Sequence, residues 1–133
     1  MNIVFADSFY FFAILNSADP AHHRATEISR AMRGHMLTTD WVLAEVADGF
    51  CRSRHRKIVA EYLTHLPSHP SVTIVPASRE LFWQGLQLFA YRADKDWPLT
   101  DCISFVVMAD ELIKEAPTAD RHFAQAGFKP ILA

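Results

Sequence analysis

The sequence predicts an α/β domain in three layers, with helices on both faces of a central, mostly parallel sheet of four to five short strands. Two patterns predict this fold. Short apolar runs alternate with helix-like segments along the chain, and acidic residues directly follow several of these runs. The composition agrees, because 50% of the 133 residues are hydrophobic and a chain of this length buries a core without disulfides. We therefore expect one domain over residues 1–133.

The first strand is followed at once by the first helix. Ile3 to Ala6 is a continuous apolar run that ends at Asp7, as expected of a strand covered on both faces. Ser8 is predicted to cap the helix, whose body is Phe9 to Leu15. Asp19-Pro20 then prevents the helix from continuing.

The next segments repeat the alternation of helix and strand. A helix is predicted from about Ala21 to Arg33, followed by a strand over Met36 to Thr38. Thr39 or Asp40 is expected to cap a third helix. That helix carries apolar residues at helical spacing: Trp41, Val42, Val46 and Phe50. A fourth helix, Lys57 to Leu66, stops at Pro67, and the third strand is Val72 to Val75.

The last third contains two longer helices and two short strands. Ser78 opens a helix that reaches about Tyr91, and Pro98 to Asp101 signals the start of another. The second helix is almost entirely apolar from Cys102 to Ala109, so it is expected to lie against the sheet. The remaining segments are predicted as strands at Ala116 to Ala119 and Lys129 to Leu132, with a helix at Asp120 to Ala126 between them.

Neither a membrane span nor a secretion signal is expected. The longest apolar stretch near the start, Phe9 to Leu15, is far shorter than the roughly 20 residues that a membrane-spanning helix needs. Cys51 and Cys102 lie far apart without a CxxC spacing, which is typical of reduced thiols in the cytoplasm. We therefore expect a cytoplasmic protein.

The net charge of −2 argues at first against a nucleic-acid partner. If four carboxylates surround a metal ion, however, the rest of the surface has 13 basic and 11 acidic residues, a net charge of +2. A phosphate-bearing substrate is therefore compatible with the composition.

Four acidic residues are candidates for one site. Asp7 and Asp120 follow the first and fourth strands, Asp101 opens a largely apolar helix, and Glu45 lies in an apolar helical stretch after the second strand. Ligands of parallel sheets bind beyond the carboxyl ends of the strands. Acids gathered there repel one another unless a divalent cation neutralises them, and an oxygen-only site suits Mg²⁺ or Mn²⁺ better than zinc.

Each of these acids also has a simpler interpretation. Asp7, Asp101 and Asp120 stand at helix starts, where a carboxylate that accepts backbone N–H bonds contributes about 1 kcal/mol. Glu45 can instead be a helix-surface acid whose charged end reaches solvent. Three acids at the same edge of the sheet nevertheless favour a shared function.

Several other α/β chemistries lack their required residues. A haloacid-dehalogenase-like phosphatase needs a second aspartate two positions after Asp7, where Phe9 stands, and a response-regulator receiver needs an aspartate where Pro76-Ala77 follow the third strand. Gly-rich phosphate-binding turns and a nucleophile elbow are missing from the sequence as well.

Four segments carry a resemblance to a known family. They are Phe5-Ala6-Asp7-Ser8, Leu37-Thr38-Thr39 through Glu45, Asp96-Trp97-Pro98-Leu99-Thr100-Asp101-Cys102-Ile103-Ser104-Phe105, and Thr118-Ala119-Asp120-Arg121-His122-Phe123 with Gly127-Phe128. In these segments the chain resembles the PIN-domain ribonucleases, and especially the VapC-type toxins of toxin-antitoxin pairs. The resemblance spans the whole chain and includes the order and spacing of the acids.

The resemblance implies a role for each acid. Asp7, Glu45 and Asp101 become the core acids and Asp120 the fourth. Asp7 and Asp101 would bind metal, and the other two would bind it directly or through water. The resemblance also implies hydroxyl groups that assist beside these acids, at Ser8 and Thr100.

The same resemblance implies an activity and partners. One or two Mg²⁺ or Mn²⁺ ions would assist hydrolysis of an RNA phosphodiester and leave 5′-phosphate and 3′-hydroxyl ends. A homodimer and an inhibitory antitoxin protein are also expected. Two alternatives stay open: a free-standing RNA-processing nuclease, and a PIN-like RNA- or protein-binding module that does not cleave.

Two further features have both a functional and a structural interpretation. The densest basic run consists of Arg52, Arg54, Arg56 and Lys57. It is either a contact for RNA or for an acidic antitoxin segment, or a solvated helix junction. His122, close to the fourth acid, is either an RNA or site contact or a packing residue.

Overall fold

A parallel sheet of five strands forms the centre of the molecule in a computed structural model, which describes residues 2–133. The strands are β1 (Ile3–Phe5), β2 (His35–Thr39), β3 (Val72–Val75), β4 (Glu115–Ala116) and β5 (Lys129–Pro130). Seven α-helices connect them within these residues: α1 (Ser8–Leu15), α2 (His22–Ala31), α3 (Asp40–Gly49), α4 (Arg56–His65), α5 (Arg79–Tyr91), α6 (Leu99–Asp110) and α7 (Arg121–Gln125).

The strand order is β3-β2-β1-β4-β5, and every pairing is parallel. Val4 of β1 lies opposite Met36 of β2 on one side and Glu115 of β4 on the other. The chain moves outward from β1 to β3, crosses back to β4 and continues to β5. The direction of winding therefore reverses between β1 and β4, which is where ligands bind in open α/β sheets.

The helices form a layer on each face of this sheet. Right-handed crossovers put α1 to α4 on one face and α5 to α7 on the other. The packing agrees, because α1 contacts α2 and α3, whereas α5 packs on α6 and α6 on α7. The predicted three-layer α/β fold with a parallel sheet is confirmed.

An aromatic cluster joins α6 to α7. The ring of Phe105 on α6 meets the rings of Trp97 and Phe123 edge to face, each at 5.0 Å between centroids. Trp97 also donates its indole N–H to Gln125 Oε1 at 2.9 Å. Because Phe123 and Gln125 both lie on α7, these contacts hold α7 against the start of α6.

The close approach of α5 to α6 depends on Gly85. A side-chain carbon at this position would collide with the side chain of Ile103 on α6. Ile103 lies two residues after Asp101, so the contact also helps to set the position of the first turn of α6.

One predicted helix cap is wrong. Asp7, and not Ser8, caps α1, because the extended backbone of Asp7 lets its carboxylate accept a backbone N–H from the first turn. Ser8 is instead the first residue of the helix. Of the two candidates for α3, Thr39 is the cap and Asp40 is the first helical residue.

The last two strands are shorter than the predicted ranges Ala116 to Ala119 and Lys129 to Leu132. Strand β4 ends because the Thr118 N–H donates to the Ala116 carbonyl at 2.8 Å and closes a tight turn. The third strand has its predicted bounds, Val72–Val75, and the other predicted boundaries differ from the observed ones by at most two residues.

Among residues 2–133, no helix combines the length and the hydrophobicity needed to cross a membrane.

Candidate metal centre

Asp7 lies at the carboxyl end of β1, beside the point where the winding reverses. Its side chain is buried, with 3% of the residue exposed. Oδ1 accepts the Tyr10 N–H at 3.4 Å, and Oδ2 accepts the hydroxyl of Thr118 at 2.9 Å. Since Thr118 follows β4, the second bond joins the two strands that flank the reversal.

Asp101, Asp120 and His122 form a tight cluster. One ligand atom from each side chain lies within 4.8 Å of the other two. His122 Nδ1 is 3.1 Å from Asp101 Oδ2 and 3.2 Å from Asp120 Oδ1. Asp101 comes from the first turn of α6, whereas Asp120 and His122 come from the start of α7. The packing of α7 on α6 therefore assembles the cluster.

The two buried acids resist ionisation. Burial raises the pKa of Asp7 to about 8, against the hydrogen bonds from Thr118 and Tyr10 that lower it, and the charges of Asp101 and Asp120 raise it further. Burial also raises the pKa of Asp101 to about 6, against the hydrogen bond from His122, with the charges of Asp120 and Glu45 adding to the increase. The acids therefore act on one another electrostatically, as a shared site requires.

Glu45 lies on α3 and is half-buried. Its charge raises the pKa of Asp101, so its carboxylate faces the same region. Glu45 and Asp7 lie outside the tight cluster of Asp101, Asp120 and His122. The structure thus gathers three groups closely and keeps two acids beside them.

The capping interpretation applies to two of the three aspartates. Asp7 caps α1, and Asp120 caps α7 by accepting the His122 N–H at 2.9 Å. Asp101 caps nothing, because Pro98 occupies the cap position of α6. A buried carboxylate without a capping role is the stronger indication of a function.

The donor set fits a divalent cation. Carboxylates that are held close together and away from solvent are costly to ionise, and a bound cation removes that cost. Asp101, Asp120 and His122 offer two oxygens and one nitrogen, with Asp7 and Glu45 next to them.

Sequence reasoning missed the role of Thr118. Its hydroxyl donates to Asp7 and accepts the Asp120 N–H at 3.1 Å, so it connects two of the acids. The sequence signal for this role is a threonine two residues before Asp120. Its other partner, Asp7, lies 111 positions away in the chain, so the sequence gives no indication of that bond. Ser8 and Thr100, the expected assisting hydroxyls, are half-buried beside Asp7 and Asp101 in the chain, and their roles stay predictions.

The basic run lies between α3 and the start of α4. Its four members are all exposed: Arg52, Arg54, Arg56 and Lys57. The guanidinium of Arg56 donates to the Cys51 carbonyl at 2.9 Å, which gives Arg56 a local structural role. The other three are better suited to an external partner.

Solved structures that are similar to this chain include two from bacteria. VapC20 of Mycobacterium tuberculosis, described as a sarcin-ricin loop cleaving toxin, has a TM-score of 0.86 at 22% identity, with 94% of this chain and 95% of that chain covered. A chain of VapBC2 from Rickettsia felis, solved bound to a DNA fragment from their promoter, has a TM-score of 0.67 at 13% identity, with 96% of each chain covered. These likenesses establish a common fold.

The family is decided by a family model. No curated protein sequence matches this chain. The model of the PIN domain, in contrast, matches residues 4–129, a range that includes every acid of the candidate site. The chain therefore belongs to the PIN domain family.

Proposed function

We propose that this chain is a metal-dependent endoribonuclease, the toxin of a toxin-antitoxin pair, formed by a single PIN domain over residues 1–133. The observation that supports it most is the cluster of Asp101, Asp120 and His122 beside buried Asp7, at the point where the strand order reverses. VapC20, with a TM-score of 0.86, is described as a toxin that cleaves RNA of the sarcin-ricin loop, which supports the same chemistry here.

Some residues of the site are proposed to bind the metal, and others to position the ligands. Asp7 and Asp101 are proposed as metal ligands, with Glu45 and Asp120 binding directly or through water. The cofactor is Mg²⁺ or Mn²⁺, as one or two ions. When bound, the cation supplies an activated water and neutralises charge that develops on the phosphate. Thr118 holds the carboxylate of Asp7.

The proposed partners are RNA, an antitoxin protein and a second copy of the chain, in the cytoplasm. An antitoxin reading frame beside the gene would distinguish a toxin from a free-standing RNA-processing nuclease. Exposed basic side chains at Arg52, Arg54 and Lys57 suit a phosphate backbone or an acidic partner segment. Mass measurement by light scattering tests the homodimer.

The first experiment is cleavage of total cellular RNA with Mn²⁺, followed by mapping of the new ends. Wild-type protein is compared with Asp101→Asn, which keeps the shape of the side chain and removes its charge. We expect discrete 5′-phosphate ends that disappear in the variant and with a chelator. The sarcin-ricin loop is included as a defined substrate because VapC20 is described as cleaving it.

Two outcomes would contradict the proposal. Cyclic-phosphate ends would mean that the RNA 2′-hydroxyl attacks, and the proposed hydrolysis would be wrong. Identical ends from wild type and variant, in folded protein without a bound partner, would favour the non-cleaving RNA- or protein-binding module.

A further inference from the structure

The candidate site contains a nitrogen donor where the sequence predicted oxygen donors alone. His122 is the second residue of α7, and its side chain is 16% exposed. Its Nδ1 lies between two carboxylates, 3.1 Å from Asp101 Oδ2 and 3.2 Å from Asp120 Oδ1. The imidazole is therefore part of the cluster and does not merely border it.

The position of this nitrogen is fixed by the surrounding structure. The backbone N–H of His122 donates to Asp120 Oδ1 at 2.9 Å, which ties the residue to the cap of α7. The next residue, Phe123, is fully buried and packs edge to face on Phe105 of α6. The distance from the imidazole to Asp101 is thus set by helix packing as well as by the side chain itself.

The two distances from His122 Nδ1 to the carboxylates suit coordination of a common ion. Mg²⁺-sized octahedral sites have ligands about 2.1 Å from the ion, so adjacent ligand atoms lie about 3 Å apart. The two distances from His122 Nδ1 are close to this spacing. A single N–H at Nδ1 points at one carboxylate at a time, whereas a cation attracts both carboxylates and the nitrogen lone pair together.

We propose that His122 contributes Nδ1 to the metal ion bound by Asp101 and Asp120, so that the centre is a mixed nitrogen-oxygen site that prefers Mn²⁺ to Mg²⁺. This inference rests on the proposed metal-dependent function and specifies its metal. Mg²⁺ takes oxygen ligands, whereas first-row transition metals also accept imidazole. An all-oxygen site would discriminate less between the two ions.

The direct test is pulsed EPR of Mn²⁺ bound to the purified protein without RNA. A coordinated imidazole produces a ¹⁴N modulation of the Mn²⁺ electron spin echo. This modulation changes when the protein is labelled with ¹⁵N-histidine. We expect this modulation in wild type and its loss in His122→Asn, which replaces the nitrogen with an oxygen donor. The matched control is His65→Asn on α4, because the Nδ1 of His65 also makes a hydrogen bond, to the Glu61 carbonyl at 2.7 Å. The control variant should keep the modulation.

Competition between the two ions tests the preference. Free Mn²⁺ is measured by EPR while Mg²⁺ is added to wild type and to both variants. We expect His122→Asn to lose at least about tenfold in Mn²⁺ affinity while Mg²⁺ affinity changes less, so that the preference falls. His65→Asn should behave as wild type.

The outcomes separate this inference from the proposed function. Wild-type protein that cleaves RNA and binds Mn²⁺ without a histidine modulation would make His122 a positioning residue for Asp101, and the inference would be wrong. Protein that neither binds Mn²⁺ nor cleaves would overturn the proposed function itself. If His122→Asn does not fold, wild-type protein that binds Mn²⁺ without a modulation sensitive to ¹⁵N-histidine still overturns the inference.

Discussion

The two ends of the sheet differ in what they bury. The carboxyl end holds the buried polar side chains of the described residues: Asp7, Thr38, Thr39, Asp101, Ser104 and Thr118. The amino end has concavities of about 370 and 420 Å³, which share Asn2 and Glu115 in their linings. Charged groups there, such as Arg33 and Lys114, are exposed to solvent.

Buried carboxylates therefore locate the candidate site better than cavity size does. A concavity costs a folded protein little, whereas a buried carboxylate is costly unless a partner or an ion compensates for it. At the carboxyl end, Asp7 and Asp101 are buried carboxylates of this kind, and the pKa of each is raised. Substitutions at the carboxyl end should therefore change cleavage and stability, whereas substitutions at the amino end should change little.

The largest expected effect comes from Asp7→Asn. Asparagine caps a helix as well as aspartate does, so the fold should persist while the charge is lost. We expect RNA cleavage with Mn²⁺ to fall by at least about 100-fold, with an equal or higher melting temperature at pH 8.5 without metal. Glu115→Gln at the amino end is the control and should change neither. Equal activity in both variants would mean that the two ends do not differ functionally.

The next effect comes from Thr118→Val, which preserves shape and removes a hydroxyl. Asp7 loses its hydrogen bond, and the Asp120 N–H loses its acceptor. We expect a loss of about 1–3 kcal/mol in the free energy of unfolding, measured with urea, together with reduced cleavage. Thr118→Ser should restore both.

The matched control for Thr118→Val is Thr64→Val on the exposed surface of α4. There the hydroxyl donates to the Ala60 carbonyl within the helix, at 2.7 Å. We expect a change within about 0.5 kcal/mol. A similar loss from both substitutions would show that Thr118 has no special role at the carboxyl end.

A smaller effect is expected in the pH dependence of the metal-free protein. The pKa of Asp7 is about 8 in the folded state, above its ordinary value of 3.8, so the folded state binds more protons between these values. The free energy of unfolding should therefore fall as pH rises from 5.5 to about 8. Thermal melts with chelator measure this slope, and added Mn²⁺ should raise the melting temperature more at pH 8.5 than at pH 5.5.

The same melts on Asp7→Asn provide the control for that slope. Without the carboxyl group, stability should decline less over the same pH range. An unchanged slope in the variant would mean that another group is responsible for the pH dependence.

The smallest effect is expected from the basic run. Replacing Arg52, Arg54 and Lys57 with alanine should weaken RNA or antitoxin binding a few-fold and reduce its salt dependence, because each phosphate contact contributes to the salt slope. The charge-matched control removes three exposed basic residues near the amino end: Arg30, Arg33 and Lys114. Equal losses from the two triple variants would indicate an effect of net charge alone.

The sequence predicted the fold class because short, mostly apolar segments alternate with helix-like ones, and the first of them, Ile3 to Ala6, is continuously apolar. A short run of this kind that ends at a turn or cap residue is typical of a strand covered on both faces of a parallel sheet. The bounds of β4 and β5 were predicted less well, because the two strands pair over only two residues and β4 ends where Thr118 makes a tight turn. That turn depends on neighbours in space, which local pattern does not specify.

For the candidate site, the pattern predicted which acids to consider but not how they are connected. Asp7 and Ser8 are adjacent residues of types that cap helices, so local preference did not decide between them. The bond from Thr118 to Asp7 and that from His122 to Asp101 join residues that are distant in sequence. Both arise from the parallel sheet and from the packing of α7 on α6.

The contact of Gly85 with Ile103 offers a route to conditional control of the candidate site. Alanine at position 85 would favour helix by about 1 kcal/mol while pushing against α6, two residues from Asp101. The gain in helix preference and the collision with α6 thus oppose each other at position 85, which contacts no acid of the candidate site. If the chain is the toxin proposed above, a strain that carries Gly85→Ala would be inhibited by it at one growth temperature and not at another, so that its targets could be followed in living cells without an inducer.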